Sequence, residues 1–402
     1  MTKVFQICSE VNVGSVGRIA EQIGLRVISK NWESFIAYGR DMQPSKSTII
    51  KIGNKFDILK HVLITRFTDK HGYGSSQATL KLIDEIERVN PHIIHLHHLH
   101  GYFINIEILF GYLSKLKIPI VWTFHDCWAF TGHCCYYEMV GCHKWQTECS
   151  NCPQIKEYPQ SWLKDNSYQN FIDKKRIFNS LHNLTIVPVS NWLGGEVSKS
   201  FLKNNKIEVI RNGIELDVFR FLDTGRKKRT VNSNEKIVLG VASPWNERKG
   251  LKYFIELSKI LPDSFKIVLV GLNKSQIKKL PSNIMAFERT SSTASLAEFY
   301  SMADVFVNPT LDEALGLTNL EAMACGTPVI TFNSGGSVEA ITEKTGLIVK
   351  QADVDGLYKA IETVIKNGKE NYSAACRNYV EENFSGTLNF NTYISLYERL
   401  LS

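Results

Sequence analysis

Long apolar runs are the first thing this 402-residue chain lacks. No stretch approaches the roughly 18 to 20 residues that cross a bilayer, and the cleanest runs, Ile118 to Phe124 and Lys266 to Leu272, have strand length. A helical membrane span is thereby excluded. The opening Met1-Thr2-Lys3-Val4-Phe5-Gln6-Ile7-Cys8 also lacks the apolar core and small-residue cleavage site of a signal peptide and reads as a first β-strand, so a cytoplasmic location is expected. One-sided charge is scarce: the net charge of +7 is modest for this size, and no basic run is interleaved with aromatics. Nucleic-acid binding is therefore not expected, whereas phosphates or acidic headgroups suit the balance. Repeats and low-complexity tracts are missing too, and 44% hydrophobic with 22% charged residues describes a globular chain long enough for two or more domains.

What is present is an alternation of short apolar strands with amphipathic stretches. Strands are expected at Lys3 to Cys8, Ser34 to Tyr38, Ile93 to Leu96, Pro119 to Phe124 and Leu184 to Val189. A second set is expected at Ile207 to Ile210, Lys236 to Val241, Phe265 to Val270, Ile284 to Phe287, Val305 to Asn308, Pro328 to Thr331 and Leu347 to Val349. The fold class is α/β, with two Rossmann-like doubly wound domains at 1–190 and 205–385. Between them Gly194, Gly195 and Lys203-Asn204-Asn205 read as a linker, and Thr224 to Glu235 as a polar surface loop. A closing amphipathic helix, 386–402, carries Tyr393, Leu396, Tyr397, Leu400 and Leu401 on one face and is expected to rejoin the first domain. Ligands of such sheets bind at the carboxyl ends of the strands, which places the expected site between the halves.

The most informative segment runs from Asn308 to Pro328. A strand ends, a glycine-containing loop follows, and a helix begins, with Glu313 and Glu321 eight residues apart. Loop amides and the positive end of the helix dipole suit a phosphate or sugar hydroxyls. Glu313 is expected in the loop, where it meets a sugar ring, and Glu321 about two turns into the helix, where it meets a ribose. Either glutamate alone would read as an ordinary helix acid. The whole string, including Glu-Ala-Met-Ala-Cys-Gly-Thr-Pro-Val-Ile, resembles the E-x7-E signature of the family 4 retaining glycosyltransferases, which have the GT-B fold. Val209-Ile210-Arg211-Asn212-Gly213-Ile214-Glu215 and Asn333-Ser334-Gly335-Gly336-Ser337-Val338-Glu339 are similar to two further segments of that family, in the same order. The likeness is strong over the second half and looser over the first. Where the family usually has Glu-Gly-Phe-Gly, this chain has Glu313-Ala314-Leu315-Gly316, which keeps both carboxylates.

The resemblance implies a retaining, metal-independent hexosyltransferase. Its donor would be a UDP- or GDP-linked sugar and its acceptor a lipid-linked oligosaccharide, in capsule or exopolysaccharide synthesis at the inner membrane face. It implies His125, Lys249 and Glu313 as catalytic residues, the lysine neutralising the leaving diphosphate. It implies donor contacts at Gly14, Gly17, Ser243, Arg248, Lys249, Leu315, Gly316, Leu317, Thr318 and Glu321. Ser243 stands where many relatives carry an arginine; either Arg248 compensates or the chain makes different phosphate contacts, and the Ser243 hydroxyl is itself a donor to phosphate. Asp126 is expected to orient His125 or meet the acceptor hydroxyl. Rivals on the same fold are an epimerase, a phosphorylase, or an inactive zinc-stabilised binding subunit.

Three patterns invite a metal. Asp353-Val354-Asp355 reads as a helix N-cap rather than a cation site. His92, His95, His97, His98 and His100 follow a strand period without fixed metal-ligand partners. Cys134, Cys135, Cys142, Cys149 and Cys152 fall within nineteen residues and include a C-x2-C, so a structural zinc on Cys134, Cys142, Cys149 and Cys152 is one reading, with His133 and His143 as substitute ligands. Reduced thiols in a loop are the other. No cofactor is expected for catalysis. Lys51 to His71, with Lys55, Lys60, Arg66 and Lys70 beside apolar residues, reads either as a membrane-surface helix or as an ordinary core-facing one.

Overall fold

The computed structural model describes residues 1–227, 232 and 234–402; of the expected loop Thr224 to Glu235, residues 228–231 and 233 lie outside the described residues. The chain divides into two units, Met1–Arg211 with Asn389–Ser402, and Asn212–Leu388.

Unit 1 is built on a parallel seven-stranded sheet. Its strands are β1 (Lys3–Cys8), β2 (Glu33–Tyr38), β3 (Thr48–Lys51), β4 (Ile93–Leu96), β5 (Ile120–Phe124), β6 (Leu184–Pro188) and β7 (Lys206–Ile207), in the order 3-2-1-4-5-6-7. Strands β4, β5 and β6 are buried throughout, which is why they read as unbroken apolar runs. β3 was not among the expected strands: it is an edge, three of its four residues are exposed, and it pairs only with β2. The expected strand Ile207 to Ile210 belongs here and not to the second half. Glu208 and Ile210 donate to the carbonyls of Ile186 (3.0 Å) and Pro188 (3.2 Å), so the chain still runs along β6.

The expected linker is also part of unit 1. Ser190 caps the helix Asn191–Lys199, and a Cβ at Gly194 would lie 2.8 Å from Val209, so that glycine serves close packing rather than flexibility. The chain passes between the units at Arg211–Asn212. The last helix, Gly386–Leu401, delivers Asn389–Ser402 to unit 1, with Tyr393, Leu396 and Tyr397 fully buried.

Unit 2 is a parallel six-stranded sheet of β8 (Lys236–Val241), β9 (Phe265–Val270), β10 (Ile284–Phe287), β11 (Val305–Asn308), β12 (Val329–Phe332) and β13 (Gly346–Val349), ordered 10-9-8-11-12-13. Asp353 caps the helix Val354–Asn367 through the Gly356 amide at 2.8 Å, as its spacing suggested. In both sheets the winding direction reverses at one pair of strands, β1/β4 in unit 1 and β8/β11 in unit 2. Such switch points leave a crevice outside the strand ends, and the segments after β1, β4, β5, β8 and β11 are the ones that carry the candidate residues.

Candidate functional site

In unit 2 two loops are laced together at the switch point. After β8 the chain turns through Asn246–Gly250, where Gly250 has φ +74° and a Cβ would lie 2.1 Å from the Pro309 carbonyl oxygen. Only glycine lets the turn press so closely on the loop after β11. The Leu311 amide donates to the Arg248 carbonyl at 2.8 Å, and the Arg248 guanidinium donates to the Asp312 carbonyl at 2.5 Å. This lacing brings the Lys249 ammonium onto the Glu313 carboxylate, with Arg248 Nη1 3.8 Å away. Burial would raise the Glu313 carboxyl, but Lys249 and Arg248 beside it hold it below the ordinary value. Burial pulls the Lys249 ammonium below its ordinary value while Glu313 opposes that shift. The group is charged, partly exposed, and carries two cations against one carboxylate.

The helix that follows, Leu317–Ala324, starts from Gly316 at φ +76° and has no side-chain cap. A Cβ on Gly316 would sit 3.1 Å from the Asn319 side chain, which is held by Asn308 (2.8 Å) and the Ser337 carbonyl (2.9 Å). The dipole's positive end and the amides of Leu317 and Thr318 thus lie at the end of the loop that carries Glu313. Leu315 is buried, so its side chain packs in the core, while Ser243 is exposed just beyond β8. Glu321 differs from expectation: it is the fifth residue of the helix, about one turn in rather than two, because the helix begins only after Gly316. It is buried, and the Tyr300 hydroxyl donates to it at 2.9 Å.

Unit 1 presents a different chemistry. His125 directly follows β5, and its Nε2 lies 3.3 Å from His97 Nδ1. His97 Nε2 in turn lies 2.9 Å from Gln6 Oε1, and Gln6 Nε2 donates to the Ala20 carbonyl at 3.0 Å. This chain has one consistent proton assignment. Gln6 spends its amide protons on Ala20 and offers an oxygen to His97, so His97 carries its proton on Nε2 and accepts at Nδ1. His125 then donates from Nε2 and keeps a lone pair on Nδ1. Burial pushes His125 and His97 well below the ordinary histidine value, so both rings are neutral.

Asp126 does not orient His125. Its Oδ2 meets His98 Nε2 at 2.8 Å and His100 Nε2 at 2.7 Å, and its Oδ1 accepts the Trp128 amide at 2.9 Å. The histidine run therefore does have fixed partners. His98, His100 and Asp126 form the group of three ligand-type atoms found within 4.8 Å of one another among the described residues, and these hydrogen bonds account for it. His95 is structural: it bridges Tyr397 (2.5 Å) and Thr123 (2.7 Å), tying the last helix to β4 and β5. Gly14 and Gly17 open the helix Gly14–Ser29, whose first turn packs on Glu10 and Asn12.

Sequence reasoning missed Gln6, His97 and Tyr300 as partners of the candidate residues. The signal for Gln6 was there, a lone amide inside the strand Val4-Phe5-Gln6-Ile7-Cys8 and fully buried. Nothing local marks Tyr300.

The helix Lys55–Thr68 exposes apolar side chains. Its buried residues are His61 and Thr65, whereas Phe56, Leu59, Leu63 and Phe67 lie along one exposed stripe, Phe56 being 82% accessible. Lys55 and Lys60 are exposed beside that stripe, and Ile58, Val62 and Ile64 are half-buried.

Comparison with known proteins follows this geometry. Residues 26–218 match the family described as Glycosyltransferase Family 4 and residues 223–383 match Glycosyl transferases group 1. WcaC of Escherichia coli (strain K12), a glycosyl transferase named for colanic acid biosynthesis, is 21% identical over 357 residues, 85% of each chain. The N,N'-diacetylbacillosaminyl-diphospho-undecaprenol alpha-1,3-N-acetylgalactosaminyltransferase of Campylobacter jejuni is 29% identical over 242 residues, 56% of this chain and 63% of its own length. HepE of Anabaena, solved in complex with UDP-glucose, superposes with a TM-score of 0.68 at 12% identity, over 99% of this chain and 100% of that one. The two matches together span nearly the whole chain, each on its own parallel sheet, and the chain belongs to the family 4, group 1 glycosyltransferases with the GT-B fold.

Proposed function

We propose that this glycosyltransferase moves a hexose, with retention of configuration, from a UDP- or GDP-linked donor onto a lipid-linked oligosaccharide in surface-polysaccharide synthesis. The observation that carries this reading is the cluster of Lys249, Arg248 and Glu313 beside the uncapped start of the helix Leu317–Ala324. Cleaving the bond between sugar C1 and the diphosphate oxygen leaves negative charge on that oxygen, which oriented cations and amides stabilise. Lys249 and Arg248 supply the cations, and the amides of Leu317 and Thr318 with the helix dipole add to them. With these groups in place the proposal assigns the leaving charge to side chains rather than to a metal. Glu313 holds the cations in place and offers its carboxylate to sugar hydroxyls. Glu321, braced by Tyr300, is assigned to the ribose. In the acceptor step the new C1–O bond forms on the face from which the diphosphate departs, and the acceptor proton goes to a leaving phosphate oxygen.

On the acceptor side, His125 contributes a neutral ring with an accepting nitrogen, suited to a sugar hydroxyl. A lipid-linked acceptor fits the stripe of Phe56, Leu59, Leu63 and Phe67, which Lys55, Lys60, Arg66 and Lys70 flank and which suits an anionic membrane surface. The relatives named for colanic acid synthesis and for a diphospho-undecaprenol acceptor support the same direction.

The first experiment is a screen of UDP- and GDP-sugars for thermal stabilisation and donor hydrolysis, on wild type, Lys249→Ala and Glu313→Gln. One donor should stabilise the wild type and be hydrolysed slowly, with both variants losing turnover. Stabilisation without turnover in the wild type points to a binding subunit, and turnover dependent on free phosphate points to a phosphorylase. Sedimentation with vesicles containing anionic lipid tests the membrane face: Leu59→Asp with Leu63→Asp should abolish binding without lowering the melting temperature, since both side chains are exposed. Unchanged binding removes this helix from the proposal.

A further inference from the structure

Between Phe130 and Ser167 the chain runs through more than thirty residues with no regular element except two three-residue 3-10 turns, Glu138–Val140 and Lys144–Gln146. Loops of this length inside a compact unit need something to order them. Part of the answer is a small aromatic core, with Trp145 packed 5.0 Å from both Phe130 and Tyr137. The other part is sulfur. Of the five cysteines here, Cys134, Cys142, Cys149 and Cys152 line one cavity, whereas Cys135 faces the other way, its Sγ 3.9 Å from His100 Nε2. The Gly132 amide donates to Cys149 Sγ at 3.2 Å. The loop backbone is pinned around them: the Lys144 ammonium donates to the carbonyls of Ser150 (2.9 Å) and Asn151 (3.2 Å), and the Asp165 carboxylate accepts the Cys152 amide at 2.6 Å. A buried lysine lies beside the same cavity. Lys174, 1% exposed, donates to the carbonyls of Trp128 (2.7 Å) and Thr131 (3.1 Å), the latter a residue of the same cavity wall.

We infer that this loop carries a structural zinc site formed by Cys134, Cys142, Cys149 and Cys152, separate from the groups assigned to sugar transfer; the four line one cavity but are not gathered to ligand spacing among the described residues, and the ion would draw them together. Four thiolates around one divalent ion leave a net charge of about −2, and amide N–H donors such as Gly132, already 3.2 Å from Cys149 Sγ, are the surrounding such a centre needs. Ion binding would close the loop by linking four chain points across nineteen residues, which is where a cross-link of an irregular segment is most useful. Two ligands come from the C-x2-C turn, and the other two flank Tyr137 and the turn Glu138–Val140.

The test is the metal content and thiol accessibility of the full-length chain purified without chelator. About one zinc per chain is expected, released by a mercurial reagent in step with the titration of four thiols. Cys142→Ser and Cys149→Ser should each bring zinc near zero and raise protease cleavage between 131 and 167, while Cys135→Ser should keep the full zinc content. Should the serine variants fail to fold, cobalt exchanged into the wild type gives the second readout: the intense visible bands and sulfur-to-metal charge transfer of a tetrahedral tetrathiolate. Less than a tenth of an equivalent of zinc, with the four thiols freely alkylated or found as disulfides by mass spectrometry, overturns the proposal. So does a cobalt spectrum without thiolate bands, or zinc lost equally in Cys135→Ser.

Discussion

The two units solve the placement of polar groups in opposite ways. All eleven histidines lie in unit 1 and none in unit 2. Unit 1 buries His95, His97, His100 and His125 neutral and holds their rings with hydrogen bonds, whereas unit 2 keeps a charged cluster of Lys249, Arg248 and Glu313 part-exposed. A neutral, ordered ring suits the hydroxyls of a sugar; a cationic loop suits a diphosphate. The same fold thus divides its labour by which protonation states it stabilises.

Acid should break this symmetry most strongly. Burial lowers His61 to about 4, His95 to about 3 and His100 to about 4, and drives His71, His97 and His125 well below the ordinary value. For each of these the unfolded chain takes up a proton near pH 6.5 and the folded chain does not, so their contribution is intact above pH 6.5 and is lost as pH falls towards 4. The slope is about 1.4 kcal/mol per pH unit for each histidine fully protonated only when unfolded. His133, paired with Asp69 and shifted upward, opposes them singly. Unit 2 has no histidine to respond. Hydrogen exchange from pH 7 to pH 4.5 should therefore show unit 1 amides losing protection by several orders of magnitude while those of β8 to β13 change little. Equal losses in both units would show that the rings are not held neutral.

The cationic side is broken by Lys249→Ala. Losing one preorganised donor to the leaving group should lower kcat by about 10²- to 10³-fold. Because Glu313 then loses its close partner while Arg248 remains, the donor KM should change far less than kcat. A loss confined to KM would make Lys249 a binding residue only.

The same contrast explains what the sequence revealed. Unit 2's site is written almost contiguously: Glu313, Gly316 and the helix start lie within a dozen residues, and Lys249 follows the first strand of its sheet. Parallel strands buried on both faces gave long apolar runs, so twelve of the thirteen strands were visible, and only the exposed edge β3 was not. Unit 1's site is assembled from Gln6 in β1, His97 after β4 and His125 after β5, and only the strand order β1-β4-β5 makes them neighbours. Periodicity located these strands but could not pair them, which is why His98 and His100 were not foreseen as the partners of Asp126. Glu321 was misjudged for a local reason, since the left-handed Gly316 delays the helix start and shortens the glutamate's distance from it.

The subtlest prediction turns the neutral relay into a charged one. Gln6→Glu keeps the shape of a fully buried side chain but replaces the amide beside His97 Nε2 with a carboxylate. A carboxylate at that distance favours the protonated imidazole, and His97 then carries protons on both nitrogens. Its Nδ1–H would face His125 Nε2, so His125 must accept there and move its own proton to Nδ1. The nitrogen that accepted a hydroxyl now donates. Turnover should fall about tenfold, the size of one hydrogen bond turned against its partner. It should also gain a dependence on pH between 6 and 8, where the wild-type rings do not titrate. Nitrogen chemical shifts of labelled histidines would follow the tautomer of His125 directly. If the shifts report Nδ1–H in the wild type as well, the proton order Gln6–His97–His125 is wrong, and the ring meets its ligand as a donor.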